Sequence, residues 1–148
     1  MATVWDRDAR ASLLERLGRL TADTKPAWGR FHASGMVAHL NDSLRMALGD
    51  LPVKPKTRLL RPKLIRRAFI YWLPMPKGAP TAPELIARCA GASLDAEREA
   101  FQQLLDRCGA LPPGSPMGEH PAFGDLSYDE YGALIAKHSD HHLRQFGL

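Results

Sequence analysis

The sequence predicts an all-α protein, a four-helix bundle that forms a single domain over residues 1–148. Four segments carry apolar residues three and four positions apart, the spacing that places them on one face of a helix. Residues that favour helix starts and ends flank these segments. No segment shows sustained alternation of apolar and polar residues, so we expect no sheet. A chain of this length can bury one ordinary core but not two.

The first two predicted helices lie in the N-terminal third. The first covers about residues 4–20, where leucines recur at helical spacing. The following loop, residues 21–29, contains Asp, Lys, Pro and Gly. The second helix is predicted to begin near Ser34, a good N-cap residue, and to end at Gly49. His39 lies beside Leu40 on its apolar stripe, roughly in the second turn.

Residues 50–91 form a long crossover that seven prolines interrupt. Two short extra helices are predicted within it. One covers residues 63–73 and has apolar residues at helical spacing. These are Ile65, Phe69 and Trp72. The other begins near a capping box formed by Thr81 and Glu84, with a proline in its first turn.

The last two long helices occupy the C-terminal third. The third is predicted over residues 93–108 and is stopped by Gly109. Its inward-facing residues are Leu94, Phe101, Leu104 and Leu105. After a second loop, Ser127 and Glu130 form a capping box that starts the fourth helix, which Gly147 closes.

The lengths of the connections predict the topology. A short loop makes the first two helices antiparallel neighbours, whereas the long crossover allows the second and third to be parallel. The fourth helix then returns antiparallel to the third. The predicted layout is therefore an up-down-down-up bundle.

Histidines in this layout predict a metal site. His138 and His142 lie four residues apart, so they share one face of the fourth helix. His39 near the start of the second helix falls at the same end of the bundle. Buried imidazoles need partners, and a divalent ion bound by two or three of them supplies one. Three protein ligands would leave positions open for water or substrate, as in catalytic sites.

Other interpretations of these histidines stay open at this point. A pair of histidines four residues apart also occurs on polar helix surfaces, and a single histidine such as His39 on an apolar face is often only a core residue. His141 could replace His142, although it points about 100° away on the helix. His32 and His120 lie in predicted loops, where we expect them at the surface or supporting the ligands.

Composition limits the classes of protein. Apolar residues make up 45% and charged residues 24%, a balance typical of globular rather than disordered chains. The longest apolar runs fall far short of the ~20 residues that a membrane span needs. The N-terminus lacks the apolar region of a signal peptide, so we expect a cytoplasmic protein. Cys89 and Cys108 form no C-x-x-C pair and are interpreted as small apolar residues.

Much of the net charge of +4 lies in the basic stretch, residues 54–67. Such a stretch is usually a solvated surface, but it can also attract phosphates, nucleic acid or an anionic small molecule. No zinc-finger or P-loop spacing accompanies it, so we expect no nucleic acid partner.

Two pairs of segments resemble the DinB/YfiT-like superfamily. They are Pro-Ala-Trp-Gly-Arg-Phe at residues 26–31 with Ser-Gly-Met-Val-Ala-His-Leu-Asn-Asp at 34–42, and His-Pro-Ala-Phe-Gly-Asp-Leu-Ser at 120–127 with Lys-His-Ser-Asp-His-His-Leu-Arg-Gln-Phe-Gly at 137–147. They are most similar to the branch labelled DUF1569. The resemblance implies a DinB-type bundle with a site for nickel, zinc or a similar ion. Carried over to this chain, its ligands are His39, His138 and His142.

The resemblance implies several activities. Characterised relatives include thiol-dependent transferases that use bacillithiol, mycothiol or glutathione, and a maleylpyruvate isomerase. Our leading hypothesis is a metal-dependent transferase in which the ion lowers the pKa of a small thiol that attacks an electrophile. The basic stretch could hold the acidic groups of that thiol.

Two other functions remain. A hydrolase would need a general base, and Asp42 and Asp140 are the nearby candidates, although Asp140 points away from the histidine pair on a regular helix. A non-enzymatic metal- or ligand-binding module of a stress response is the third hypothesis. An exposed apolar face of the bundle could also make a homodimer. No residue identifies the substrate or a catalytic group beyond the metal ligands.

Overall fold

The computed structural model describes residues 2–54, 59–78 and 93–148. Within these ranges the protein is mostly helical, which agrees with the all-α prediction. The helices are α1 (Arg7–Gly18), α2 (Ala33–Ala47), α3 (Lys63–Arg67), α4 (Leu94–Ala110) and α5 (Tyr128–Gln145), and a π-helical segment (Ala68–Trp72) continues α3. No described helix is both long enough and apolar enough to cross a membrane.

A small hairpin precedes α5, so the expectation of no sheet was wrong. Strands β1 (Glu119–His120) and β2 (Gly124–Asp125) pair antiparallel, with Glu119 opposite Asp125 and His120 opposite Gly124. Strands of two residues are too short to produce an alternating pattern in the sequence. The turn between them is held by His120, whose Nδ1 accepts hydrogen bonds from the N–H groups of Ala122 and Phe123.

Local signals predicted the ends of α5 correctly. The Ser127 hydroxyl accepts a hydrogen bond from the N–H of Glu130, and the Glu130 carboxylate accepts one from the N–H of Ser127. At the other end Gly147 has φ +75°, and the N–H of Leu148 donates to the carbonyl of Leu143. This left-handed glycine and its hydrogen bond form a Schellman-type helix end.

Two predicted helix ends were wrong. Helix α2 is N-capped by His32 rather than Ser34, since the N–H of Met36 already donates to the His32 carbonyl. Helix α4 continues through Gly109 to Ala110. An ideal Cβ at Gly109 would lie 2.5 Å from the Arg10 guanidinium, so this glycine makes room for Arg10 instead of ending the helix.

The described part of the crossover contains the predicted short helix, as α3 and the π-helical segment. Its buried residue is Ile70, whereas Trp72 and Ile65 are exposed. The wider π-helical turn changes which residues face inward compared with an α-helical spacing. The predicted helix near Thr81 and Glu84 lies outside the described residues, as does Cys89.

The core lies between the four long helices. Helix α2 is the most buried of them, and it packs against α4 and α5, while α1 packs against the same two helices. The largest fully buried side chains on these helices are Leu17, Met36, Leu40, Leu44, Phe101, Leu105, Tyr131 and Leu143. The contact between α2 and α5 brings the middle of α2 next to the C-terminal half of α5.

Two further contacts hold the connecting segments on this core. The N–H of Gly118 donates to the carbonyl of Ala47, and an ideal Cβ at Gly118 would lie only 2.0 Å from the Met46 carbonyl oxygen, so only glycine fits there. On α5, the Lys137 ammonium donates to the carbonyls of Phe69, Ile70 and Leu73. This contact attaches the π-helical segment to the residue that precedes His138.

Candidate metal centre

Three histidines converge where α2 meets α5. The Nε2 atoms of His39 and His138 lie 3.1 Å apart, and those of His138 and His142 also lie 3.1 Å apart. One ring nitrogen of each histidine lies within 4.8 Å of one from each of the others. The structure therefore brings together the three residues that helical spacing and bundle topology had singled out.

Regular helix geometry explains how each ring reaches the cluster. His138 and His142 stand one turn apart on α5 and face the same way. His39 projects from α2 toward them and is buried, as is His142, whereas His138 is half-buried. Two histidines from successive turns of α5 and one histidine from α2 thus form a triangle of imidazoles.

Burial keeps these rings neutral. Burial, together with the nearby His142, lowers the pKa of His39 to about 3. Burial also lowers the pKa of His142 to about 4, and burial with the neighbouring His142 and His39 lowers that of His138 well below its usual value. Because removing a cation from water is costly, each ring is in the neutral form that binds metals at neutral pH.

The hydrogen bonds within the triangle do not give every ring nitrogen a suitable partner. A neutral imidazole has one N–H donor and one lone pair, so the Nε2 of His138 cannot bond well to both of its neighbours. The Nδ1 of His39 is buried and finds no partner among the described residues. Buried polar atoms normally have partners, and the Nε2 atoms that meet at His138 leave one more group to be accommodated there, whereas the Nδ1 of His39 is the other nitrogen of its ring and is a separate unpaired atom.

A divalent ion fits this triangle. Zinc binds imidazole nitrogens at about 2.1 Å in tetrahedral geometry, which separates the nitrogens by about 3.4 Å. The two observed separations of 3.1 Å are close to that spacing. Neutral imidazoles are also ligands that nickel and copper accept, so the donor set does not select one metal.

Two residues around the histidines did not emerge from the sequence. The ring of Phe31 stacks on His39 with centroids 5.1 Å apart and meets the edge of His142 at 5.6 Å. Gln145 accepts a hydrogen bond from His142, whose Nδ1 lies 2.8 Å from the Gln145 Oε1. Its position three residues after His142 on the same helix was a usable signal, whereas the contact with Phe31 depends on the tertiary fold.

The other histidines stay outside the cluster. His141 packs edge-on against Trp28 with centroids 5.8 Å apart, so the structure brings His142 rather than His141 to His138. His32 is exposed at the start of α2. His120 lies on β1, half-buried between Phe123 and Tyr131, and burial lowers its pKa to about 4.

The carboxylates considered as general bases are engaged in ion pairs. Asp42 pairs with Arg45 at 2.9 Å, and Asp140 pairs with Arg16 at 2.8 Å and with Arg144 at 2.9 Å. Among the described residues, the group that could hold a metal contains histidines only.

Part of the basic stretch is also neutralised within the chain. Arg61 pairs with Glu119 at 3.0 Å, and Arg66 pairs with Glu130 at 3.0 Å. These two arginines therefore contribute less to an anion-attracting surface than the sequence suggested.

A comparison with protein families agrees with the geometry. A family model described as the DinB superfamily matches residues 2–146, which is nearly the whole chain. Neither the curated proteins nor the solved structures provide a match. The matched range contains all three converging histidines. This chain belongs to the DinB superfamily.

Proposed function

We propose that this protein is a metal-dependent transferase that uses a low-molecular-weight thiol. In this proposal the four long helices form a single-domain, up-down-down-up bundle of the DUF1569 branch, acting in the cytoplasm. His39, His138 and His142 hold one divalent ion, nickel or zinc. The observation that carries the proposal is the convergence of three neutral imidazoles, with the Nε2 of His138 lying 3.1 Å from the Nε2 of both His39 and His142.

The ion supplies a positive charge that lowers the pKa of a thiol in the site. The chain supplies the rest of the environment. Three neutral ligands leave the positive charge of the ion uncompensated, which favours an anionic thiolate over the neutral thiol. Phe31 covers one side of His39 and His142, which keeps water away from that side of the ligands.

The ion pairs around the site favour thiol transfer over hydrolysis. A hydrolase normally needs a general base within hydrogen-bond reach of the attacking water. Asp42 and Asp140 are each bound to arginine. A thiol that has lost its proton needs no such base. Because Arg61 and Arg66 are also paired, we do not assign the acidic groups of the thiol to the basic stretch.

The test combines elemental analysis with a turnover screen. Protein purified with nickel or zinc should hold about one ion per chain and should consume an electrophile such as chlorodinitrobenzene only when bacillithiol, mycothiol or glutathione is added. His142→Ala should abolish metal binding and turnover, whereas His141→Ala, the matched control, should preserve both. Equal losses would mean that the ligand was chosen on the wrong helix face.

The same screen separates the alternatives. Turnover of ester or amide substrates without a thiol would replace the transferase by a hydrolase. One tightly bound ion with neither activity would indicate a metal-binding module. A chain that binds no divalent ion would refute the site itself.

A further inference from the structure

Gln145 is the last residue of α5 and is almost completely buried. Its side-chain amide lies between a backbone carbonyl and the ring of a histidine. Its Nε2 lies 2.6 Å from the carbonyl oxygen of Trp28, and its Oε1 lies 2.8 Å from the Nδ1 of His142. It thereby connects the loop before α2 to a member of the histidine triangle.

The Trp28 carbonyl determines which way the amide points. A carbonyl oxygen only accepts hydrogen bonds, so the group beside it must be the NH₂ of Gln145. The opposite orientation would bring two acceptors to 2.6 Å of each other. The Gln145 oxygen therefore faces His142.

The Gln145 oxygen in turn determines where His142 carries its proton. An amide oxygen also only accepts, so the Nδ1 of His142 must be the donor. A neutral imidazole has one proton, and with that proton on Nδ1 the Nε2 keeps its lone pair. This Nε2 is the atom that faces His138 at 3.1 Å.

The loop around Trp28 is built to hold the amide in place. The N–H of Ala27 donates to the backbone carbonyl of Gln145 at 2.7 Å. Gly29 has φ +81°, and an ideal Cβ there would lie 2.5 Å from the Gln145 Nε2. A side chain at residue 29 would therefore push the amide out of line, which only glycine avoids.

We infer that Gln145, oriented by the Trp28 carbonyl, is a positioning residue that holds the proton of His142 on Nδ1 and so presents its Nε2 lone pair for coordination. This inference rests on the proposed metal site for its purpose, but the tautomer is a property of the metal-free chain. It can be tested with no metal present.

The primary measurement is a long-range ¹H–¹⁵N spectrum of metal-free, histidine-labelled protein at pH 7.5. The wild-type ring of His142 should show a protonated Nδ1 and an unprotonated Nε2. Gln145→Leu should lose this preference, because it removes the oxygen that accepts from the His142 Nδ1. Gln102→Leu, on the exposed side of α4, is the control and should leave the His142 signals unchanged. A wild-type His142 with its proton on Nε2, or an unchanged tautomer in Gln145→Leu, would overturn the inference.

The second measurement is zinc affinity by competition with a chromophoric chelator. Removing a hydrogen-bond partner of a metal-binding histidine typically weakens binding about 10–100-fold, and we expect this loss for Gln145→Leu but not for Gln102→Leu. Wild-type affinity in Gln145→Leu would contradict the inference. A wild-type chain that binds no zinc would refute the proposed site, and the wild-type spectrum would still decide where His142 carries its proton.

Discussion

The two ends of α5 both bury polar side chains, but they treat them differently. At the N-terminal end Glu130 accepts from the N–H of Ser127 and pairs with Arg66 at 3.0 Å, and Arg66 also donates to the carbonyl of Asp125. In the C-terminal half, the Nε2 atom of His138 lies beside those of His142 and His39, and the described residues provide no charged partner for these rings.

This difference indicates that Glu130 has a structural role, whereas the histidines are candidates for a functional one. The charge of Glu130 is balanced within the chain by Arg66. The histidines instead have lowered pKa values and converge on one another, so the three of them could hold an ion. Removing the partner of a charged group should therefore lower the stability of the protein at the N-terminal end of α5. Adding a divalent ion should raise its stability at the C-terminal end.

The largest expected effect comes from breaking the N-terminal region. Glu130→Ala removes both the capping box and the partner of the half-buried Arg66; breaking a fully buried pair costs about 3–5 kcal/mol, and the partial exposure of Arg66 places the expected loss at the lower end of that range. Urea unfolding followed by circular dichroism measures the change. Glu119→Ala breaks the more exposed pair with Arg61 and should cost at most about 1 kcal/mol. Equal costs would show that Glu130 is no more structural than a surface residue.

The next effect comes from filling the C-terminal region. Free zinc or nickel at ~100 times its dissociation constant should raise the free energy of unfolding by about 2.7 kcal/mol, because the unfolded chain lacks the preformed site. His39→Ala should lose this gain, and His32→Ala, an exposed histidine, should keep it. Thermal melts with and without chelator test the pair. Ligation requires neutral imidazole, and burial lowers the pKa of His39 to about 3 and that of His142 to about 4, so the gain should persist at pH 5 and shrink only as the pH approaches 4. If His39→Ala kept the full metal-induced gain in stability, His39 would be a core residue and not a metal ligand.

A smaller effect concerns His120, a half-buried histidine whose Nδ1 does have partners. Its folded pKa of about 4 lies below the usual 6.5, so the unfolded state binds one more proton between these values. Stability from His120 is therefore complete above pH 6.5 and is lost as the pH falls toward 4. His120→Asn keeps an acceptor but does not titrate. It should lower the slope of unfolding free energy against pH by about 1.4 kcal/mol per pH unit between pH 5 and 6. An unchanged slope in urea titrations of metal-free protein would contradict this.

The smallest effect tests the loop that supports the histidines. Gly29 and Gly114 have nearly the same backbone angle, φ +81° and +80°, but only Gly29 has the Gln145 amide beside it. Alanine at either position incurs the same backbone cost. Gly29→Ala should cost about 1 kcal/mol more, because it also disturbs the hydrogen bonds of Gln145. Denaturant midpoints of the two variants measure the difference, and equal midpoints would mean that the amide moves aside without loss.

The sequence alone determined what depends on residues within one or two helical turns. It predicted the four long helices, the capping box of Ser127 and Glu130, and the shared face of His138 and His142. Such features follow from hydrogen bonds and side-chain directions inside a single helix. The missed ends of α2 and α4 show the limit of these signals, since Gly109 serves the packing of Arg10 and not the end of its helix.

Only the tertiary structure decided which distant residues meet the histidine pair. Bundle topology suggested His39, but its 3.1 Å approach to His138 depends on how α2 packs against α5. The cover by Phe31 and the link from Trp28 to Gln145 left no periodic signal, because each joins segments far apart in the chain. Helical spacing acts along one helix, whereas the completed site depends on close packing between helices and loops, where shifts of a few tenths of an ångström make or break a hydrogen bond.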